Sequence, residues 1–182
     1  MVKLDDADGM VSGAVHTTGD LLKSDAKALV NTVNCEGYMG KGIAYQFKLQ
    51  FPENNISYIN ACKNGNLKIG TLHYYKEKEK LIINFPTKNK WREKSHINYI
   101  EKGLDQLILL IAELKISSIA IPPLGSGNGG LIWADVKSII EKKLTPLSSN
   151  IDIFIYEPYK NYSALPTIEP KLSLSALVLM EI

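Results

Sequence analysis

The chain has 182 residues, of which 45% are apolar and 22% charged, and a formal net charge of +2. That is enough for one ordinary α/β domain with its own core, and the charge is too small to argue a nucleic-acid partner except from local clusters. Cys35 and Cys62 lack CxxC spacing, no secretory leader opens the chain, and His16, His73 and His96 never pair at a metal-ligand spacing. The expectation is a cytoplasmic protein with neither a metal nor a cofactor.

Residues 1–12, with Asp5, Asp6 and Asp8, form an acidic, apolar-poor stretch expected to be a flexible lead-in. Ala14 to Thr18 is a short strand, followed by the turn Gly19-Asp20-Leu21-Leu22. Asp20 there either caps the next helical turn or accepts hydrogen bonds from an adenine amino group. Ala28 to Val33 is almost continuously apolar, as in a strand covered on both faces, and ends at Asn34. A Gly-rich turn follows, with Gly37, Gly40 and Gly42, and a helix begins near Lys41. Strand, glycine turn and helix N-terminus together suit a phosphate, and Asn34 is placed to bind a sugar hydroxyl. Cys35 beside this loop is either a buried small hydrophobe or a nucleophile.

Ile43 to Phe51 and Pro52 to Cys62 read as helices. Thr71 to Tyr75 and Lys80 to Phe85 read as strands, with Lys76 to Glu79 as a solvated hairpin tip. Ile97, Ile100, Leu104, Leu107, Ile108, Ile111 and Leu114 recur at helical spacing and predict an amphipathic helix packed on the sheet. Ser118 to Leu124 is a short strand closed by prolines, then Gly125-Ser126-Gly127-Asn128-Gly129-Gly130 repeats the first loop's pattern before a helix from about Trp133. Ile151 to Tyr156 is the last strand. If the two loop-bearing strands are neighbours, both loops lie at the carboxyl edge of one sheet and together suit a diphosphate.

Residues 125–130 also match GxGxxG, but so late in the chain that a nicotinamide enzyme is disfavoured. Thr87 to Lys94 concentrates Lys88, Lys90, Arg92 and Lys94 around Trp91. Such a run is either a solvated face or a surface for single-stranded nucleic acid, with cations for phosphates and an indole for stacking. After Pro158 a proline-punctuated stretch leads into an apolar segment too short to span a membrane.

Thr18-Gly19-Asp20-Leu21-Leu22, Ala28 to Asn34, Met39-Gly40-Lys41-Gly42-Ile43-Ala44, Asn84-Phe85-Pro86-Thr87-Lys88 and Ile121-Pro122-Pro123-Leu124-Gly125 occur in that order. From about Val15 to Pro158 the chain resembles the DarG-type antitoxin macrodomains. The resemblance implies an α/β fold, a three-layer α/β/α macrodomain over residues 13–158 with a mixed, mostly parallel sheet. It implies binding of ADP-ribose and its removal from thymidine in single-stranded DNA, which reverses a DarT-type toxin. Asp20 then binds the adenine amino group, with Gly19 and Leu21 as further ADP-ribose contacts. Asn34 approaches the distal ribose, and Gly40, Lys41, Gly42, Ile43 and Ala44 line one side of the diphosphate. Gly125, Ser126, Gly127, Asn128 and Gly129 line the other, with Thr87 and Leu124 as further ADP-ribose contacts. Lys88 falls at the catalytic lysine shared with terminal ADP-ribose protein glycohydrolase, and Lys90, Trp91 and Arg92 are the nucleic-acid contacts. An Asp that completes that relative's site is matched here by Gly129, so its covalent lysine route does not transfer whole.

Protonated Lys88 can stabilise the leaving base, and neutral Lys88 can attack the anomeric carbon; the residues leave both open. Residues 159–182 resemble a linker and the start of a C-terminal toxin-neutralising domain. The macrodomain is expected to be monomeric, and no membrane partner is expected. The competing expectations are an ADP-ribose-binding module without turnover and a hydrolase of protein-linked or small ADP-ribose esters.

Overall fold

A computed structural model describes residues 14–158; the expected lead-in 1–12 and the tail 159–182 lie outside the described residues. Six strands form one sheet: β1 (Val15–Thr17), β2 (Ala28–Val33), β3 (His73–Glu77), β4 (Lys80–Pro86), β5 (Ser118–Ile121) and β6 (Asp152–Tyr156). Their spatial order is β1-β6-β5-β2-β4-β3, with every pairing parallel except the β3–β4 hairpin. The helices are α1 (Gly42–Gln50), α2 (Pro52–Lys63), α3 (Ile97–Glu113) and α4 (Trp133–Leu144).

Side-chain alternation decides the layers. Ala28, Val30, Ile83, Phe85, Ile119 and Ile121 turn to the face covered by α3 and α4, against Ile100, Leu104, Leu107, Val136 and Ile140. Leu29, Ile82 and Ala120 turn the other way and meet Phe47 and Phe51 at the end of α1. Val33 packs with Ala44, Tyr58 and Ala61 of α1 and α2. The result is the expected α/β/α sandwich with a mixed, mostly parallel sheet. Gly103 lets α3 settle on β4, because a Cβ there would lie 2.2 Å from Phe85 Cζ.

Two elements differ from expectation. β3 runs on through Lys76 and Glu77, and the hairpin turns on Lys78 and Glu79 alone, at φ 50° and 64°. Glu77 is buried rather than solvated, because its Oε2 accepts the Asn54 N–H at 2.9 Å in the first turn of α2, where a helix favours negative charge. Beneath the sheet's second face, Asn31 Nδ2 donates to Asn84 Oδ1 (3.0 Å) and Asn84 Nδ2 to Asn54 Oδ1 (2.8 Å), fixing α2 by directional bonds where the neighbouring contacts are apolar.

Glu157, just after β6, accepts from Trp133 Nε1 (2.6 Å) and Lys137 Nζ (2.8 Å), and its Oε1 lies 3.1 Å from His16 Nδ1, so it ties α4 to the β1–β6 edge. Partial burial pushes its carboxyl up, but the bonds from Lys137 and Trp133 and the neighbouring charges outweigh this and hold it below the ordinary value. A depressed folded-state value stabilises the protein above the unfolded value of about 4.3 and is lost as pH falls through the folded one. Glu157→Ala should therefore cost about 1 to 2 kcal/mol at pH 7 in denaturant melts, and the difference from wild type should shrink below about pH 4. Among the described residues no helix is long and apolar enough to cross a membrane.

Candidate functional site

Three loops meet at the carboxyl edge of the sheet. β2 and β5 are parallel neighbours, so residues 34–41 and 122–132 leave side by side, and β4, parallel to β2 on its other flank, delivers residues 87–96 to the same edge.

In the first loop Asn34, 7% exposed, shapes its own turn. Its Oδ1 accepts from Glu36 N at 2.9 Å, its Nδ2 donates to Tyr38 O at 2.8 Å, and the Tyr58 hydroxyl donates between Asn34 O (2.8 Å) and Oδ1 (3.0 Å). One amide N–H remains for a sugar hydroxyl. Gly42 opens α1 at φ 59°, and Lys41 before it makes no side-chain cap bond. The N–H groups of Gly42, Ile43 and Ala44 thus face outward without an intrahelical acceptor, which suits an anion.

The second loop is folded around its glycines. Gly125 sits at φ 68°, and Leu131 N donates to Gly125 O at 3.0 Å. A Cβ on Gly129 would lie 2.2 Å from Ser95 Oγ and 2.4 Å from Gly125 O, so no side chain fits, a carboxylate included. A Cβ on Gly127 would meet nothing within 4 Å, so that position opens outward. A Cβ on Gly42 would lie 3.4 Å from Asn128 Nδ2, which places the two loops against each other.

Residues 87–96 bridge both loops. Thr87 N donates to Val33 O (2.9 Å), Cys35 N to Asn89 O (3.0 Å), and Trp91 N to Glu36 Oε2 (2.9 Å). At the other end Lys88 Nζ donates to Asn128 O (3.0 Å) and Ser95 N to Gly129 O (3.0 Å). Between them Glu93 N closes a turn on Lys90 O (3.0 Å) with Trp91 and Arg92 at its corners. Trp91 is 45% exposed, with the Arg92 guanidinium 4.5 Å from its ring centre. Sequence reasoning missed Glu36, Tyr58 and Ser95 as supports of this edge, since nothing in their spacing links them to the loops they hold.

Lys88 is half-buried, and its proton affinity is lowered first by that burial and then by the charges of Lys94 and Lys41. Burial, with Cys62 and Glu36 nearby, pushes the Cys35 thiol up to about 12, which leaves it protonated and makes it a poor nucleophile. Asp20 is exposed and accepts Leu22 N at 3.0 Å through Oδ1, the capping role; Oδ2 has no partner among the described residues. Leu21 and Leu124 turn their side chains into the core and Thr87 is buried, so the expected ligand contacts of the two leucines reduce to backbone atoms. Among the described residues no three His, Cys, Asp or Glu side chains gather as a metal site.

Strand order sets the axis of the cleft: Asp20 follows β1, the second loop β5, the first loop β2 and Lys88 β4. Four inter-strand steps of about 4.8 Å separate β1 from β4, roughly 19 Å, the scale of an extended dinucleotide.

The Macro domain family matches residues 30–140. The chain belongs to the macro domain family. The macro domain here is similar to a Thermus aquaticus protein named DNA ADP-ribosyl glycohydrolase, 42% identical over 172 residues, covering 90% of this chain and 48% of the relative. The macrodomain of Mycobacterium tuberculosis DarG superposes with a TM-score of 0.76 at 49% identity, covering 80% of this chain and 99% of that one. A third likeness is Thermosipho africanus DarTG in complex with ADP-ribose, with a TM-score of 0.75, 32% identity, and coverage of 87% and 45%. The chain spans about half the length of the Thermus relative.

Proposed function

We propose that this macro domain binds ADP-ribose across the carboxyl edge and releases it from thymidine in single-stranded DNA. The observation that carries the reading is Lys88. It stands at the end of β4, the width of four strands from Asp20, with its ammonium on the backbone of the second loop and a stacking-capable indole on the turn beyond. Adenine at Asp20, diphosphate between the glycine loops and distal ribose near Asn34 and Lys88 follow the strand order. Gly40 and the outward N–H groups from Gly42 to Ala44 serve the phosphates from one side, and Gly125 to Gly129 from the other. Lys90, Trp91 and Arg92 lie just outside, where the DNA leaves the cleft.

Cleavage separates the ribose anomeric carbon from thymine N3, with positive charge growing on the sugar and negative charge on the base. The lysines at this end stabilise the second of these. Burial and the charges of Lys94 and Lys41 lower the proton affinity of Lys88. The relatives named DNA ADP-ribosyl glycohydrolase support this substrate, and the ester-hydrolase alternative is weakened by the space at Gly129, which admits no carboxylate.

A Thermosipho africanus relative is named a fusion of DNA ADP-ribosyl transferase and DNA ADP-ribosyl glycohydrolase, which supports a DarT-type toxin as the physiological opponent. In this reading the protein acts in the cytoplasm, the macro domain is monomeric, and residues 159–182 lead toward the toxin-contacting part.

The test is ADP-ribose release from a modified thymidine oligonucleotide and from a modified glutamate peptide, side by side. Release from the oligonucleotide at least a hundredfold faster is the expected result. Tight ADP-ribose binding with neither released makes the protein a binding module, and a preference for the peptide overturns the DNA assignment.

A further inference from the structure

The bridging loop carries more positive charge than ADP-ribose uses. Among the described residues Lys41, Lys88, Lys90, Arg92 and Lys94 form no ion pair; the pairs there are His16 with Glu141 and Glu157, Lys137 with Glu157, and Lys143 with Asp105, none of them in this cluster. The two nearby carboxylates of the bridge and first loop are directed to backbone amides, Glu36 to Trp91 N (2.9 Å) and Glu93 to Lys90 N (3.3 Å). An uncompensated cluster of this kind calls for a polyanion. The diphosphate already has the outward N–H groups of α1, Lys41 and the second loop.

Lys94 is left over, and its place is defined. It precedes Ser95, whose N–H stands on Gly129 O (3.0 Å), and its side chain runs along the second loop, where a Cβ on Gly130 would lie 3.4 Å from both Lys94 Cδ and Nζ. It is exposed, on the far foot of the loop whose tip carries Trp91. The two feet of the loop, Lys88 and Ser95, rest on adjacent residues, Asn128 and Gly129. A base held at Lys88 therefore has Trp91 and Lys94 on the same loop, one turn apart.

We propose that Lys94 binds a backbone phosphate of the single-stranded DNA that carries the modified base, so that the site prefers a polymer to a modified nucleoside. The proposal rests on the DNA reading above and adds the residue that recognises the strand as distinct from its ADP-ribose. Lys94 is assigned to the strand and not to ADP-ribose or the reacting atoms, although its charge also lowers the proton affinity of Lys88.

The test compares wild type with Lys94→Gln and Lys94→Arg. Binding of an unmodified single-stranded oligonucleotide is followed by fluorescence anisotropy across a salt series, and release of ADP-ribose is measured from a modified oligonucleotide and from ADP-ribosyl-thymidine. Lys94→Gln should flatten the slope of log K against log salt by about 0.7, the contribution of one phosphate contact on a single strand. It should raise KM for the oligonucleotide several-fold without raising KM for the nucleoside, any effect of the lost charge on Lys88 falling on kcat for both substrates, and Lys94→Arg should restore the slope. An unchanged slope overturns the proposal, as does an equal rise in KM for oligonucleotide and nucleoside, which would place Lys94 in the ADP-ribose site. A wild-type chain that releases nothing would sink the glycohydrolase reading, and a flattened slope in Lys94→Gln would still support Lys94 as a strand contact.

Discussion

Lys88→Ala should slow single-turnover release of ADP-ribose from a thymidine-modified oligonucleotide by about a hundred- to ten-thousandfold while leaving the Kd for free ADP-ribose within about threefold of wild type. The asymmetry follows from the strand order. Lys88 ends β4, whereas the expected adenine and diphosphate contacts come from the ends of β1, β2 and β5. Partial burial, Lys94 and Lys41 all lower its proton affinity, which eases loss of the proton on a nucleophilic route. On that route the neutral amine would bond to the anomeric carbon as the carbon–N3 pair leaves with thymine, which takes a proton. Water then displaces the amine and frees ADP-ribose. The wild-type rate should accordingly fall as pH is lowered through the depressed value. Lys88→Arg, which keeps the charge but cannot lose it, should be as slow as alanine. A rate that rises on acidification, or an active arginine variant, would assign Lys88 to charge stabilisation instead, and an alanine variant at the wild-type rate would remove it from the chemistry.

Gly127→Glu should weaken ADP-ribose binding by about a thousandfold without unfolding the protein. Nothing lies within 4 Å of a Cβ built there, so the substitution costs the fold little. A carboxylate aimed at a diphosphate some 4 Å away near a protein surface loses about 4 kcal/mol, or three decades in Kd. The contrast is Gly129, two residues on, where the added Cβ would strike Ser95 Oγ and Gly125 O and the loop itself must deform. Calorimetry with ADP-ribose, alongside thermal melts, checks both halves. Unchanged affinity would place the diphosphate elsewhere, and a large drop in melting temperature would show that Gly127 is held more tightly than its open surroundings imply.

The layers of the fold were legible because they rest on local pattern. The unbroken apolar run Ala28 to Val33 is a central strand, and the periodic leucines and isoleucines from Ile97 onward form the helix over it. The adjacency of the two glycine loops was a conditional statement about β2 and β5, and their parallel pairing satisfies the condition. Long-range partnerships were not legible. Glu77 reads as part of a charged turn until Asn54, 23 residues earlier, is seen to donate to it. Glu36 and Trp91, 55 residues apart, meet only because β2 and β4 deliver their loops to one edge. Asn34 was legible as a loop residue and its bonds to Glu36 and Tyr38 are local, but its bond from Tyr58 depends on α2 folding back over the strand end.

The segment from Thr87 to Ser95 has consequences beyond the contacts it makes. Backbone bonds from its N–H or C=O groups reach Val33, Cys35 and Gly129, a further amide reaches the Glu36 carboxylate, and the Lys88 ammonium reaches Asn128. A ring closed in this way spends its conformational entropy when the chain folds, not when a ligand arrives. Two glycine-rich loops, left to themselves, would each have many conformations to surrender on binding. Here they are preorganised by a third, so that interaction energy with the ligand is less eroded by ordering. The same closure connects the second loop to Trp91 through covalent chain and hydrogen bonds alone.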